Sequence, residues 1–498
     1  MKFRNVFFLL GPLVFVAFGF YTKHQDLGED ILLRAINLNL QNAHYDPVAI
    51  DDAFSKKAFQ LYIDNLDANK RLFLQSDIDE LNYFSTTIDD EIINGTSFFF
   101  DKSLNIINQR TALTEQYFEE ILNQTMDFNN EEIVDFGDEI PYTKSEEELK
   151  NRWRKYLKYS VLTRLHADLK AQEKSIKNKD TSFTPKPMDT IQAIARRSVL
   201  KTHRDWYKRI YRLDRKDRLA VYANSITAVY DPHTNYFPPE QKEDFDIQMS
   251  GRLEGIGAQL QEKGGYIKIT NIIPGGPSSL QGELQANDLI LKVAQEGKEP
   301  VEIIDWRISD AVKIIRGPKG SNVTLTVRKP DGNEKDITIT RDIVVLEETY
   351  AKSLILSDED KIKAGYIYLP SFYADFQNPQ GRFSWKDVKK ELEKLSDEKV
   401  EGIILDLRNN GGGSLDDVVK MGGLFIDKGP IVQVKEKGRS SQILEDRYAG
   451  AEWEGPLVIM VNEFSASASE IMAAAMQDYD RAIICLLYTS PSPRDPIG

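Results

Sequence analysis

The sequence predicts a multidomain protein of α and α/β class, with a helical N-terminal domain, a β-rich middle and an α/β core built on parallel strands. Three observations carry this. The chain has 498 residues, too many for one ordinary domain, and 41% of them are apolar, enough for more than one core. From Asp30 to about Ala228 apolar residues recur at three- and four-residue spacing, the helix period. Late in the chain, two strand-loop-helix units follow one another, each with an unusual loop at the carboxyl end of its strand.

The N-terminus comes first. Lys2 and Arg4 precede an apolar segment from Val6 to Phe20, the layout of a secretory signal, so residues 1–25 are expected to be a signal peptide or an anchor and the protein to be exported. Ala17 and Gly19 are small residues of the kind a cleavage site uses. The formal charge of −14 disfavours nucleic acid as a partner. A single cysteine, Cys485, excludes an intramolecular disulfide and a cysteine-built metal site.

Residues 26–228 are expected to form the helical domain. Leu104, Ile107, Leu113, Phe118, Ile121 and Leu122 show the period, and the Pro-bearing loop from Asn178 to Pro187 breaks it. Between Lys150 and Ala220 there are 21 Lys or Arg against 7 Asp or Glu, inside an otherwise acidic chain. Solvated helix faces account for such a run. Because Trp153, Tyr156 and Tyr159 interleave it, docking to an acidic partner or to anionic lipid head groups is the functional alternative.

The turn Asp231-Pro-His-Thr-Asn-Tyr-Phe-Pro-Pro239 ends the helical region. His233 is the one histidine there to weigh as a catalytic partner, and none of the five histidines stands at metal-ligand spacing. Short alternating strands follow: Tyr266 to Thr270, Asp288 to Val293, Val323 to Val327 and Ile337 to Thr340. With Pro274-Gly-Gly-Pro277 and Asn287-Asp-Leu-Ile290, the segment 246–345 resembles a PDZ domain. The resemblance makes Gly255, Ile256, Gly257 and Ala258 the loop whose backbone N–H groups capture a peptide's terminal carboxylate while the peptide adds as a strand.

After Thr349 the α/β pattern resumes, with Ala364 to Leu369 as a strand and Trp385 to Leu395 as a helix. Val400 to Leu407 is a buried strand running into Arg408-Asn-Asn-Gly-Gly-Gly413, and a helix begins near Ser414. Three consecutive glycines let backbone N–H groups face a ligand closely. Leu457 to Val461 is the second strand, and Ser465-Ala-Ser-Ala-Ser-Glu-Ile471 lies between it and an Ala-rich helix. A serine at a strand-to-helix turn sits beside unpaired N–H groups and the helix dipole, which suit acyl transfer; alternatively, Ser465, Ser467 and Ser469 are plain helix caps.

The serine run, Gln477-Asp-Tyr-Asp-Arg-Ala482, Leu407-Arg-Asn-Asn-Gly-Gly-Gly413, Ile314-Ile-Arg-Gly-Pro-Lys-Gly320 and Asp231-Pro-His-Thr-Asn-Tyr236 together resemble the C-terminal processing peptidases, and among them the tail-specific proteases of the bacterial periplasm. The resemblance covers about Asp30 to Ile484. It implies a PDZ domain inserted in a crotonase-like α/β serine protease core, the core being residues 229–245 and 346–484. Ser467 matches the nucleophile, and the backbone N–H groups of Gly412, Gly413 and Ala468 are the expected oxyanion donors. The implied base is a lysine in a Gly-Lys-Gly motif about 25 residues after the serine. No cofactor and no metal are implied. Protein or peptide substrates with apolar C-termini are, and the resemblance allows an adaptor protein and association with the inner membrane through the N-terminal segment.

The end of the chain departs from that pattern. Position 492 is Ser492 and no lysine follows Lys437, so the base is absent here and the C-terminal part of the core is expected to be missing. Cys485-Leu-Leu-Tyr-Thr-Ser-Pro-Ser-Pro-Arg-Asp495 resembles a reading frame of a transposon-derived sequencing adapter, which makes residues 485–498 an expected non-native read-through tail. The function expected is an exported, periplasmic serine endopeptidase that recognises apolar tails and works by a Ser-Lys dyad. A non-catalytic PDZ adaptor that binds protein C-termini is the alternative. A small-ester hydrolase would need a histidine near Ser467, and none follows His233.

Overall fold

The computed structural model describes residues 28–136, 140–179, 183–357 and 362–486. The expected export segment and residues 487–498 of the expected tail lie outside these. The chain divides into two units, Met1–Tyr236 and Phe237–Gly498.

In the first unit the described residues form helices α1 (Glu29–Ala43), α2 (Asp52–Asp67), α3 (Gln75–Asn82), α4 (Ile88–Asn94), α5 (Phe98–Asn123), α6 (Glu146–Lys177), α7 (Met188–Tyr211) and α8 (Arg215–Thr227). Side-chain caps start several of them. The Asp51 carboxylate takes the N–H groups of Ala53 and Phe54 before α2, and Ser145 takes that of Glu148 at the head of α6. Apolar stripes close two cores, one around Tyr62, Phe99, Phe100 and Tyr222, the other around Phe118, Trp153, Leu157 and Tyr207. Trp153 is buried and donates its indole N–H to the Arg71 carbonyl at 2.7 Å, while the Arg71 guanidinium lies 3.7 Å from the Tyr156 ring. These two aromatics of the basic run therefore serve packing. Much of its charge is spent locally too: Lys150 pairs with Glu120, Arg154 and Lys158 with Glu132, and Arg204 with Glu119. Among the described residues no helix is long and apolar enough to cross a membrane.

The second unit opens on α9 (Pro239–Ser250), with proline in the first turn and Gly251 at φ 67° after the last. The expected boundary between 245 and 246 falls inside this helix. Strand β1 (Arg252–Gly255) pairs antiparallel with β8 (Asp342–Val345), a ribbon where the chain enters and leaves the β-rich domain. Within that domain β2 (Ala258–Lys263), β3 (Tyr266–Ile272), β4 (Leu289–Gln295), β6 (Asn322–Arg328) and β7 (Glu334–Thr340) lie in the order β2-β3-β4-β6-β7, with the short β5 (Val301–Glu302) on β4. Helices α10 (Pro277–Gln281) and α11 (Ile308–Ile315) complete it. The alternation in β6 buries Val323, Leu325 and Val327 on one face, as period-2 patterning requires.

The core sheet has the order β15-β14-β11-β10-β9, from β9 (Lys352–Ser357), β10 (Lys363–Tyr368), β11 (Gly402–Asp406), β14 (Leu457–Val461) and β15 (Ile483–Leu486). All neighbours are parallel except β9, the antiparallel edge. Helices α12 (Ser384–Asp397), α13 (Leu415–Gly422) and α14 (Ala468–Asp478) pack around it, and β12 (Gly429–Val434) with β13 (Gln442–Asp446) forms a separate hairpin. Strand β15 continues past Ile484, with Cys485 opposite Met460 and Leu486 opposite Val461. Because Ile403 to Asp406 stand opposite Leu457 to Met460, the carboxyl ends of β11 and β14 lie side by side. Both special loops leave the sheet at that edge.

Candidate active site

Between β14 and α14 the chain turns through Ala466–Ser469, closed by the Ser469 N–H donating to the Ala466 carbonyl at 3.1 Å. Ser467 stands at φ 56°, ψ −115°, the conformation of the first central residue of a type II′ turn, which glycine ordinarily occupies. Holding an L-residue there costs about 1–3 kcal/mol, and such strain clusters at functional sites. The Glu470 carboxylate accepts the Ser467 N–H at 2.7 Å and steadies the turn. The three serines part company here. Ser465 donates its hydroxyl to the Leu407 carbonyl at 2.8 Å and accepts the Asn462 N–H at 3.0 Å. Buried Ser469 donates to the Asn410 carbonyl at 2.8 Å. Ser467, at the strained apex, is exposed.

The glycine loop begins at the end of β11. Asp406 is buried and binds Arg408 through Nε at 2.9 Å and the guanidinium NH2 at 2.6 Å, and Tyr366 donates its hydroxyl to the same carboxylate at 2.5 Å. Burial pushes the Asp406 carboxyl up, but the bonds from Arg408 and Tyr366 outweigh it and leave the group below its ordinary range. Further on, Gly412 and Gly413 have φ 105° and 142°. A Cβ on Gly412 would stand 2.7 Å from the Ser467 Cβ and 3.1 Å from the Ala468 nitrogen; one on Gly413 would stand 2.3 Å from the Phe372 carbonyl oxygen. Only glycine fits either place. The structure thus brings Gly412, Ser467 and Ala468 together, with Gly413 next in the chain. The Gly412 N–H is already donated to Asn410 Oδ1 at 2.9 Å.

In the β-rich domain a cleft of about 530 Å³ runs between β2 and α11, lined by Ile256, Gly257, Ala258, Leu260, Ile308 and Val312 among others. The Ile256 carbonyl accepts from the Ser278 N–H at 2.8 Å and hydroxyl at 2.6 Å, and the Gly257 carbonyl accepts from the Ile273 N–H at 2.9 Å. Because a trans peptide directs N–H and C=O oppositely, the N–H groups of Gly257 and Ala258 are turned away from those partners. Gly257 has φ 72°, and a Cβ on it would lie 3.2 Å from the Gly276 Cα. Gly255 ends β1, so all four expected residues lie at the mouth of the cleft or on the strand leading into it.

His233 belongs to the other unit, with its side chain 93% exposed and its ring 3.8 Å from Asp231. Asp231 is held at 2.7 Å by His44. Among the described residues no group of three or more His, Cys, Asp or Glu could hold a metal ion. Sequence reasoning passed over Asn410, Asn462, Asp406 and Tyr366. The visible signal was an Asn-Asn pair before the glycines and an asparagine closing β14, residues that both donate and accept at loop junctions.

Comparison with known proteins follows the same division. Residues 36–240 match the tail-specific protease N-terminal domain, 244–328 the PDZ domain and 363–485 peptidase family S41. A tail-specific protease of Haemophilus influenzae is 34% identical over 449 residues, covering 89% of this chain. The chain spans 60% of the length of that curated relative. Among solved structures, the PDZ domain of a carboxy-terminal protease from Vibrio cholerae, in complex with peptide, is 42% identical and covers 19% of this chain and 97% of its own, with a TM-score of 0.18. The photosystem II D1 C-terminal processing protease is 24% identical, covers 54% of this chain and 70% of its own, and has a TM-score of 0.29.

Proposed function

We propose, for a chain that belongs to the C-terminal processing peptidases, a serine endopeptidase that binds apolar protein tails in its PDZ cleft and cleaves peptide bonds with Ser467. The observation that carries this is the strained turn that lifts an exposed Ser467 beside Gly412 while fixing Ser465 and Ser469 in the framework. Ser467 Oγ attacks the substrate carbonyl, and its proton passes to the lysine amine of the Gly-Lys-Gly motif that the resemblance implies. That amine has to be neutral, which burial achieves by lowering its pKa from about 10.4. The lysine then protonates the leaving amine, and water hydrolyses the acyl-enzyme. With the Gly412 N–H committed to Asn410, the oxyanion donors narrow to Gly413 and Ala468, each worth about 3 kcal/mol in comparable enzymes.

The apolar side chains in the cleft lining, Ile256, Leu260, Ile308 and Val312 among them, support apolar tails, and the Gly257 and Ala258 N–H groups support a free carboxylate. Lys2, Arg4 and the apolar run to Phe20 support export to the periplasm, with inner-membrane association where that segment is retained. The test is expression from the uninterrupted genomic reading frame with an apolar-tailed unfolded substrate. Cleavage should vanish in Ser467→Ala and in the lysine-to-alanine variant and persist in His233→Ala. A dead His233→Ala beside an active Ser467→Ala overturns the dyad, and tail binding without any cleavage replaces the protease with a PDZ adaptor.

A further inference from the structure

Asn410 is fully buried, and its polar groups join three separate pieces of the core. Its Nδ2 donates to the Leu369 carbonyl just past β10 at 2.9 Å, and its Oδ1 accepts the Gly412 N–H at 2.9 Å. Its carbonyl accepts both the Ala466 N–H at 3.1 Å and the Ser469 hydroxyl at 2.8 Å. Those last two residues are the two ends of the turn that carries Ser467. One residue therefore grips the glycine loop with its side chain and the serine turn with its backbone. A second asparagine reinforces the join one position earlier: Asn462 Oδ1 accepts the Asn409 N–H at 2.9 Å and its Nδ2 donates to Asn409 Oδ1 at 3.0 Å.

We propose that Asn410 is the positioning residue that sets the separation between the two halves of the oxyanion site, the Gly413 N–H on one loop and the Ala468 N–H on the other. The inference rests on the serine-protease reading above. The Gly412 carbonyl accepts the Phe372 N–H at 2.9 Å, which turns the Gly413 N–H away from Phe372. Meanwhile the Asn410 side chain draws the preceding amide inward, so the peptide plane that presents Gly413 is fixed at both ends. Ala468 lies between two residues hung on one carbonyl, and its nitrogen is held near Gly412. Such a site needs this rigidity, because two donors must meet one oxygen to within about 0.5 Å. Neither neighbour in size replaces the amide. Aspartate can accept from Gly412 but sets an oxygen against the Leu369 carbonyl, and glutamine adds a methylene where there is no room.

The experiment uses the full-length enzyme with Asn410→Asp and Ser469→Ala, measuring kcat and KM on a tailed peptide, binding of the same tail to the PDZ cleft, and affinity for a peptide boronate that forms a tetrahedral adduct on the serine. Asn410→Asp should lower kcat about 100-fold and weaken the boronate in parallel, with KM and tail binding within about twofold. Ser469→Ala, which removes one of the two bonds to the Asn410 carbonyl, should lower kcat about 10-fold with the same split. Unchanged kcat in Asn410→Asp overturns the proposal. Should that variant fail to fold, Ser469→Ala decides, and an unchanged kcat or a loss confined to KM overturns it. Full activity of Ser467→Ala overturns the underlying reading as well, and is recognised separately because no serine-dependent rate then exists for the Asn410 variants to lose.

Discussion

On the function proposed above, the loop at Gly255–Ala258 and the turn at Ala466–Ser469 face the same geometric demand, which is to offer backbone N–H groups to an oxygen of a peptide. Each contains one residue at positive φ, Gly257 at 72° and Ser467 at 56°. In the first, glycine takes the position without a Cβ to strain. In the second, a residue with a side chain takes it, and the neighbouring glycine at 412 makes the space, since even one Cβ there would meet that of Ser467. A site that only binds can be all backbone. A site that reacts has to plant a hydroxyl at the apex and keep the strain.

The largest expected effect breaks the comparison outright. On the proposed function Ser467→Ala should lower cleavage by about 10⁴-fold or more while tail binding in the PDZ cleft stays intact, as separate assays of turnover and affinity would show. Retained turnover would mean that the two loops do the same job.

Next comes the space behind the turn. Gly413→Ala should destabilise the second unit by about 1–3 kcal/mol, because its Cβ would be driven onto the Phe372 carbonyl. Denaturant unfolding monitored through Trp385 and Trp453 reads this. A wild-type midpoint would show that the loop relaxes and that glycine is not required there.

The binding loop should respond more gently. Gly257→Ala should weaken a free-acid peptide about 10-fold and shrink the preference for the acid over the C-terminal amide, because the strained loop re-aims the carboxylate donors. Equal affinity of the wild-type protein for acid and amide would remove the carboxylate role from this loop.

The smallest effect sharpens the strain argument. Ser467→Gly should be as inactive as Ser467→Ala yet more stable than it by about 1 kcal/mol, because glycine adopts φ 56° without the Cβ clash. Matching melting temperatures for the two variants would remove strain from the account of the turn.

The local pattern along the chain was enough for the parallel core and its special loops. Leu457 to Val461 is a strand as the apolar run predicts, and α13 starts after Ser414 as expected. Glycine triplets and serine clusters are legible because their constraint is conformational and local. Elements with mixed burial were not. Strand β2 has no buried residue, the β12–β13 hairpin packs outside the main sheet, and α9 has one buried side chain, so none shows a clean period.

What the sequence by itself determined, then, is which residues carry unusual backbone freedom or a hydroxyl at a strand-to-helix turn, since those properties are local. What only the tertiary structure decided is where polar side chains spend their bonds. Arg341 looks like a surface cation at the end of an alternating strand. It is 2% exposed and binds the carbonyls of Ile314, Ile315 and Asn322 with the side chains of Ser321 and Gln295, stapling the loop around Gly317. Asn410 looks like a loop asparagine and proves to bind one partner 41 positions before it and another 59 positions after it along the chain. The physical reason is that an amide or guanidinium has the same donors wherever it lies, but their energetic weight depends on exclusion of water, and only the packed fold sets that.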